Sequence, residues 1–145
     1  MKMKDELVFD AEGAVIGRLA ALTAGKLLTG YTVVIVNAEK GVFSGNEAKI
    51  TARYQAKRDI QNKADPDKSP KWPRRPDLLF KRVIFGMLPT GRRKAREQGM
   101  HDLRCYLGVP AGYEGKGVKP VKTAEDLHGK SVTLLTISRN LGWSK

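Results

Sequence analysis

Thr32-Val33-Val34-Ile35-Val36 is a β-branched run with no polar residue alternating through it. A strand with one wet face alternates apolar and polar side chains, so a continuous run predicts a strand covered on both faces, as in a parallel sheet. Parallel partners need a crossover connection, and the chain supplies one immediately upstream. Leu7-Val8-Phe9-Asp10-Ala11 reads as a strand ending in turn chemistry at Glu12-Gly13. Ile16, Ala20, Thr23 and Leu27, with Leu19 and Ala24 beside them, then recur at helical spacing and form one apolar stripe, which Gly30 terminates. Strand, helix, strand in about 30 residues is the βαβ pattern, with a right-handed crossover expected. The fold class is therefore α/β.

Beyond Gly41-Val42-Phe43-Ser44-Gly45-Asn46 the character changes. A second helix is predicted from about Glu47 to Asn62, anchored by few apolar residues (Ile50, Tyr54, Ile60) and lined on one side by Lys49, Arg53 and Lys57 at i, i+4 and i+8. From Asp65 to Pro76 four prolines stand at 66, 70, 73 and 76, which predicts an extended arm or loop. Asp77 to Leu88, DLLFKRVIFGML, is apolar nearly all round a helical wheel and predicts a buried helix ending at Pro89. A polar helix follows over Gly91 to Asp102. Short strands are expected at Leu103 to Leu107 and near Val132 to Leu135, with a Gly-rich loop between them and a short C-terminal helix after them. At 145 residues, without repeats or a clear linker, one domain spanning 1–145 is expected.

Charge is the second constraint. The formal net charge is +12, and the segment from Lys49 to Arg104 holds 16 Lys or Arg against 6 acids. Lys68 to Arg96 alone carries 10 basic residues and one acid, Asp77. Arg74-Arg75, Lys81-Arg82 and Arg92-Arg93-Lys94 put like charges side by side, which gains the free protein nothing and sets up a local field for a polyanion. Cations at the start of the helix after Gly91 also oppose its dipole unless an anion lies nearby. The candidate contacts are Lys49, Arg53, Lys57, Arg58, Lys68, Lys71, Arg74, Arg75, Lys81, Arg82, Arg92, Arg93, Lys94 and Arg96, with Trp72 among them. RNA is favoured over duplex DNA, because the chain has no helix-turn-helix, zinc finger or heptad dimer, and a proline-rich arm bearing Trp72 suits irregular RNA. Trp72 either stacks on an exposed base or packs under its own loop.

Other chemistries find little support. Gly13 and Gly17 sit where a dinucleotide fingerprint would begin, with Glu39 after the second strand. Val15 and Arg18 replace the other two glycines, and no Walker-type loop occurs. Cys105 is the one cysteine, placed in an apolar stretch, so no internal disulfide is possible and a nucleophile is disfavoured. His101 and Asp102 are adjacent, and on a helix such neighbours point apart. Two histidines and one thiol form no metal-ligand spacing, so neither metal nor cofactor is expected. With no signal-peptide pattern and no run of about 20 apolar residues, a soluble cytoplasmic protein is expected, with no membrane partner. A free nucleotide-binding enzyme and a stand-alone nucleic-acid regulator are the competing readings.

Four blocks in register point to a family. Asp10-Ala11 through Gly17-Arg18-Leu19-Ala20 is the first. Val36-Asn37-Ala38-Glu39-Lys40 with Ser44-Gly45 is the second. Val83-Ile84-Phe85-Gly86-Met87-Leu88-Pro89 and Leu103-Arg104-Cys105-Tyr106-Leu107-Gly108 complete the set. Together they resemble the L-thirteen family of large ribosomal subunit proteins over nearly the whole chain. The proline-rich arm, with Val109-Pro110 near the point where the bacterial branch carries a His-Pro pair, is similar to the archaeal and eukaryotic branch. The resemblance implies a three-layer α/β/α fold around a four-stranded parallel sheet. It also implies a structural, non-enzymatic role in the large subunit in the cytoplasm, contacts with 23S-type ribosomal RNA and neighbouring ribosomal proteins, and an early part in subunit assembly.

Overall fold

A computed structural model describes residues 5–118 and 123–144. Strand β1 (Glu6–Asp10) leads through helix α1 (Ile16–Leu28) to β2 (Thr32–Val36). A short strand β3 (Val42–Ser44) precedes α2 (Glu47–Asp59). After the proline-rich segment come α3 (Pro76–Met87), α4 (Arg93–His101) and β4 (Leu103–Cys105). The chain closes with β5 (Ser131–Thr133) and α5 (Leu134–Asn140).

β2 lies at the centre of a parallel sheet in the order β1-β2-β4, with Leu7 opposite Val33 and Ile35 opposite Cys105. Its position explains its composition. Val33 and Ile35 face the main core with the apolar residues of the helices, while Val34 and Val36 face the other side with Val8. α1 buries the stripe expected of it: Ile16, Leu19, Ala20, Thr23, Ala24 and Leu27 are all buried.

Two features of the expected architecture need correction. The sheet has three parallel strands among the described residues, not four. At the free edge of β1 there is only a single parallel bridge, Phe9 to Val118. The second helical layer is also lacking among the described residues. Val8, Val34 and Val36 are covered by Tyr106 and Tyr113, the latter in a one-turn 3-10 helix at Ala111–Tyr113. The loop bearing it is too short to make a longer helix, and two tyrosine rings 6.0 Å apart supply the apolar cover instead.

Smaller differences have local causes. β3 pairs antiparallel with β5, Phe43 opposite Val132, where no strand was expected at 42–44. The strand expected at Val132 to Leu135 stops at Thr133, because the Thr133 hydroxyl accepts the Thr136 N–H at 3.3 Å and caps α5, drawing Leu134 and Leu135 into the helix. α2 ends at Asp59, three residues before Asn62, and β4 is two residues shorter than expected. α3 is buried on one side only. Leu79, Phe80 and Ile84 are fully enclosed, but Leu78 and Met87 are 44% and 42% exposed. It ends where foreseen, since Leu88 must turn extended ahead of Pro89.

Gly41 and Gly17 separate two uses of glycine. A Cβ on Gly41 would lie 2.9 Å from Ile16 Cγ1 and 3.2 Å from its Cδ1, and Ile16 has nowhere to move because it is fully buried. Nothing lies within 4 Å of a Cβ on Gly17, inside α1. Gly41→Ala should therefore destabilise by about 1–3 kcal/mol through overpacking. Gly17→Ala should stabilise by roughly 0.5–1 kcal/mol through helix propensity. Urea unfolding of the two variants checks both signs.

Candidate nucleic-acid interface

α2 starts at Asn46, whose side chain accepts the Ala48 N–H at 2.9 Å, and it buries only Ile50 and Tyr54. The rest of its surface is free to carry charge: Lys49 and Arg53 are exposed, Lys57 and Arg58 half-buried. The proline-rich segment does not project as an arm. It contains a 3-10 turn at Pro66–Lys68 and is tied back to α2, with Arg58 Nη1 donating to the Trp72 carbonyl at 2.8 Å. The Asn62 N–H also donates to the Ser69 hydroxyl at 2.9 Å. Trp72 packs against the core, its ring edge-on to Tyr54 at 6.1 Å between centroids. Of the two alternatives for Trp72, packing is the one realised.

That packing organises the cations around it. Lys57 Nζ lies 4.4 Å from the centre of the Trp72 ring and 5.3 Å from that of Tyr54, with Arg53 5.4 Å from Tyr54. From α3, the Arg82 guanidinium stands 4.9 Å from Trp72 and 5.4 Å from Phe85. From α4, Arg96 stacks 3.6 Å from the Phe85 centroid and donates to the Phe85 carbonyl at 3.4 Å. Four cations from three helices thus alternate with three aromatic rings in one continuous array. Each such contact contributes roughly 0.5–1 kcal/mol at an exposed site, and it holds a flexible side chain in place.

The array is electrostatically strained. Burial is the largest cause that lowers the Lys57 pKa below its usual value, followed by the like charges of Arg53 and Arg82. An anion laid across it would relieve both the repulsion and the unmet hydrogen-bonding capacity. Arg96 Nε, for example, is buried without a hydrogen-bond partner among the described residues.

The remaining candidates divide. Arg75 is held by Asp77 through two bonds of 3.1 and 2.7 Å, Arg93 by Glu97 at 2.8 Å and Lys68 by Asp65 at 2.9 Å. Of the fourteen basic residues singled out from sequence, these three are paired to a described carboxylate. Arg74 lies against the turn after α5, where a Cβ on Gly142 would sit 3.8 Å from its guanidinium carbon. Lys71, Arg92 and Lys94 are exposed and Lys81 half-buried, with no ion pair to a described residue. Tyr54 and Phe85 were not singled out from sequence. A signal was present, since Tyr54 with Lys57 and Arg82 with Phe85 are each three apart on a helix. The link between the two helices through Trp72 left none.

Cys105 takes no part in chemistry here. Burial is the main cause that pushes its thiol up to about 12, partly offset by Lys81. Against its reference of 9.0, the thiolate population falls roughly a thousandfold. The folded chain should accordingly resist maleimide labelling near neutral pH, and denaturant should restore rapid reaction.

Residues 4–111, a span that includes α2, the proline-rich segment, α3 and α4, match the family model described as "Ribosomal protein L13". The chain belongs to the ribosomal protein L13 family. A relative from Methanopyrus kandleri, large ribosomal subunit protein uL13, is 40% identical, covering 94% of this chain and 86% of its own length. The protein of the same name from Methanosphaera stadtmanae is 40% identical over 93% of this chain and 96% of its own. That from Haloarcula marismortui is 37% identical over 97% and 93%. The similarity to archaeal members thus runs through the whole cation–aromatic array.

Proposed function

We propose that this chain is a structural, non-catalytic constituent of the large ribosomal subunit that binds large-subunit, 23S-type ribosomal RNA and supports subunit assembly. The observation that carries the reading is the array of Arg53, Lys57, Arg82 and Arg96 on Tyr54, Trp72 and Phe85, four cations crowded together with no described carboxylate to neutralise them. Family membership supports the reading, because the relatives are named as large-subunit proteins. In this reading the α/β core, acting as one domain, is the rigid support. Arg53, Lys57, Arg82 and Arg96 meet phosphates first, and Lys49, Arg58, Lys71, Arg74, Lys81, Arg92 and Lys94 extend the surface. Lys68, Arg75 and Arg93 join where RNA outcompetes their carboxylates. Arginine suits the role because its planar fork can bond two phosphate oxygens at once. Trp72 acts by holding Lys57 and Arg82 rather than by stacking on a base.

The partners are ribosomal RNA and adjoining ribosomal proteins, and the location is the ribosome in the cytoplasm. No helix among the described residues is long and apolar enough to cross a membrane. Gradient sedimentation of a lysate tests the reading. The chain should travel with the large subunit and remain there after a high-salt wash. Recovery in the ribosome-free fraction would identify a stand-alone nucleic-acid binder instead.

A further inference from the structure

The outward side of α3 is more apolar than a solvated helix face has reason to be. Leu78, Lys81, Arg82 and Phe85 recur at i, i+3, i+4 and i+7 and so share one face, opposite the buried Leu79, Phe80 and Ile84. With Pro73 from the proline-rich segment and Met100 from α4, they line an open groove of about 340 Å³. Four of the six lining residues are apolar, the other two are cations, and no carboxylate lines it. Arg82 is fixed at its wall by the rings of Trp72 and Phe85.

We infer that this groove receives a single unstacked nucleobase of the bound RNA, with Lys81 and Arg82 holding the phosphates on either side of it. The inference rests on the RNA-binding reading and adds to it a place where a base, rather than the backbone alone, is held. Charge complementarity selects the occupant. An apolar side chain of a neighbouring protein would fit the carbon walls but would gain nothing from two flanking cations. A nucleotide offers an apolar π-face and a phosphate together. The Arg82 guanidinium is available as a planar surface, and bases splayed out of irregular RNA stack on such planes as well as on aromatic rings.

The test compares two strands with the full chain at one salt concentration: a ten-nucleotide single-stranded RNA of mixed sequence and an abasic sugar-phosphate strand of equal length. Base stacking on a protein surface typically strengthens binding about fivefold or more. The native chain should therefore bind the base-bearing strand at least about fivefold more tightly. Leu78→Ser and Pro73→Ser, each checked for an unchanged unfolding midpoint, should bring the two affinities together by weakening only the base-bearing strand. Equal affinity of the native chain for both strands overturns the inference while leaving phosphate binding intact. If equal affinity is joined by loss of Leu78→Ser protein from the washed large subunit, the groove belongs to a protein side chain. Failure of either strand to bind removes the RNA-binding reading beneath it.

Discussion

Replacing Arg53, Lys57 and Arg82 together by glutamine should lower affinity for large-subunit ribosomal RNA by about a thousandfold. A net hydrogen bond to a charged group contributes about 1.5–3 kcal/mol, and three such losses at the low end of that range exceed 4 kcal/mol, at about 1.4 kcal/mol per tenfold. The three side chains come from two helices but converge on Tyr54, Trp72 and Phe85. They should therefore act on one stretch of RNA as a unit. A charge-matched control, Lys26, Lys116 and Lys130 to glutamine, removes the same three charges away from the array, and its effect should be much smaller. Filter binding or fluorescence anisotropy at fixed salt decides it. A loss below ~5-fold in the array variant, the size of one exposed ion pair, would show that the array is not the contact surface.

The array variant should keep its fold. Lys57 has its pKa lowered chiefly by burial and then by Arg53 and Arg82, so its charged form is disfavoured in the folded state. Below the folded pKa both states hold the proton and the penalty is fully present. As pH rises from the folded towards the unfolded value, the unfolded chain binds more protons and stability increases. Removing the charge at pH 7 therefore holds or raises the unfolding midpoint. Loss of binding with stability retained is the signature of a residue kept for a partner rather than for the fold.

The largest effect on stability is expected at Phe80. It is fully buried on α3, within the cluster that joins Leu19 of α1, Ile35 of β2 and Leu134 of α5. Phe80→Ala should cost about 3–5 kcal/mol, because the site is enclosed by several elements and cannot collapse onto the void. Against a typical domain stability of 5–15 kcal/mol, that is a third of the total or more. Leu78→Ala, two residues earlier on the outward face, should stay within about 0.5 kcal/mol. Urea unfolding with an unchanged m-value checks both. A Phe80→Ala cost under ~1 kcal/mol would contradict the placement of α3 against the sheet.

How far the fold could be read from sequence depended on whether each element carried its own signal. The β2 run and the α1 stripe are self-sufficient: covering both faces of a strand, or one side of a helix, writes a distinct pattern into consecutive residues. The β3–β5 pair carries no such pattern, since each strand has three residues and Phe43 finds Val132 across a long stretch of chain. α3 misleads for the opposite reason. Nearly every position is apolar, so nothing in DLLFKRVIFGML distinguishes the side that meets Leu19 and Ile35 from the side that lines the groove.

The candidate surface divides in the same way. That the cations are concentrated between Lys49 and Arg104 is visible by counting. Which of them are available is not. Arg75 and Asp77 lie two apart at the entry to α3, and their pairing depends on how that entry turns. Trp72 stays ambiguous until α2 presents Tyr54 and α3 presents Arg82 on either side of it.

The salt dependence of binding to large-subunit ribosomal RNA fragments tests the central claim most directly. If about ten of the sixteen basic residues between Lys49 and Arg104 meet phosphates, counterion release predicts a slope of log affinity on log salt of roughly −7 to −9. The glutamine variant of Arg53, Lys57 and Arg82 should be shallower by about 2 to 3. A nearly flat dependence for the native chain would contradict the account.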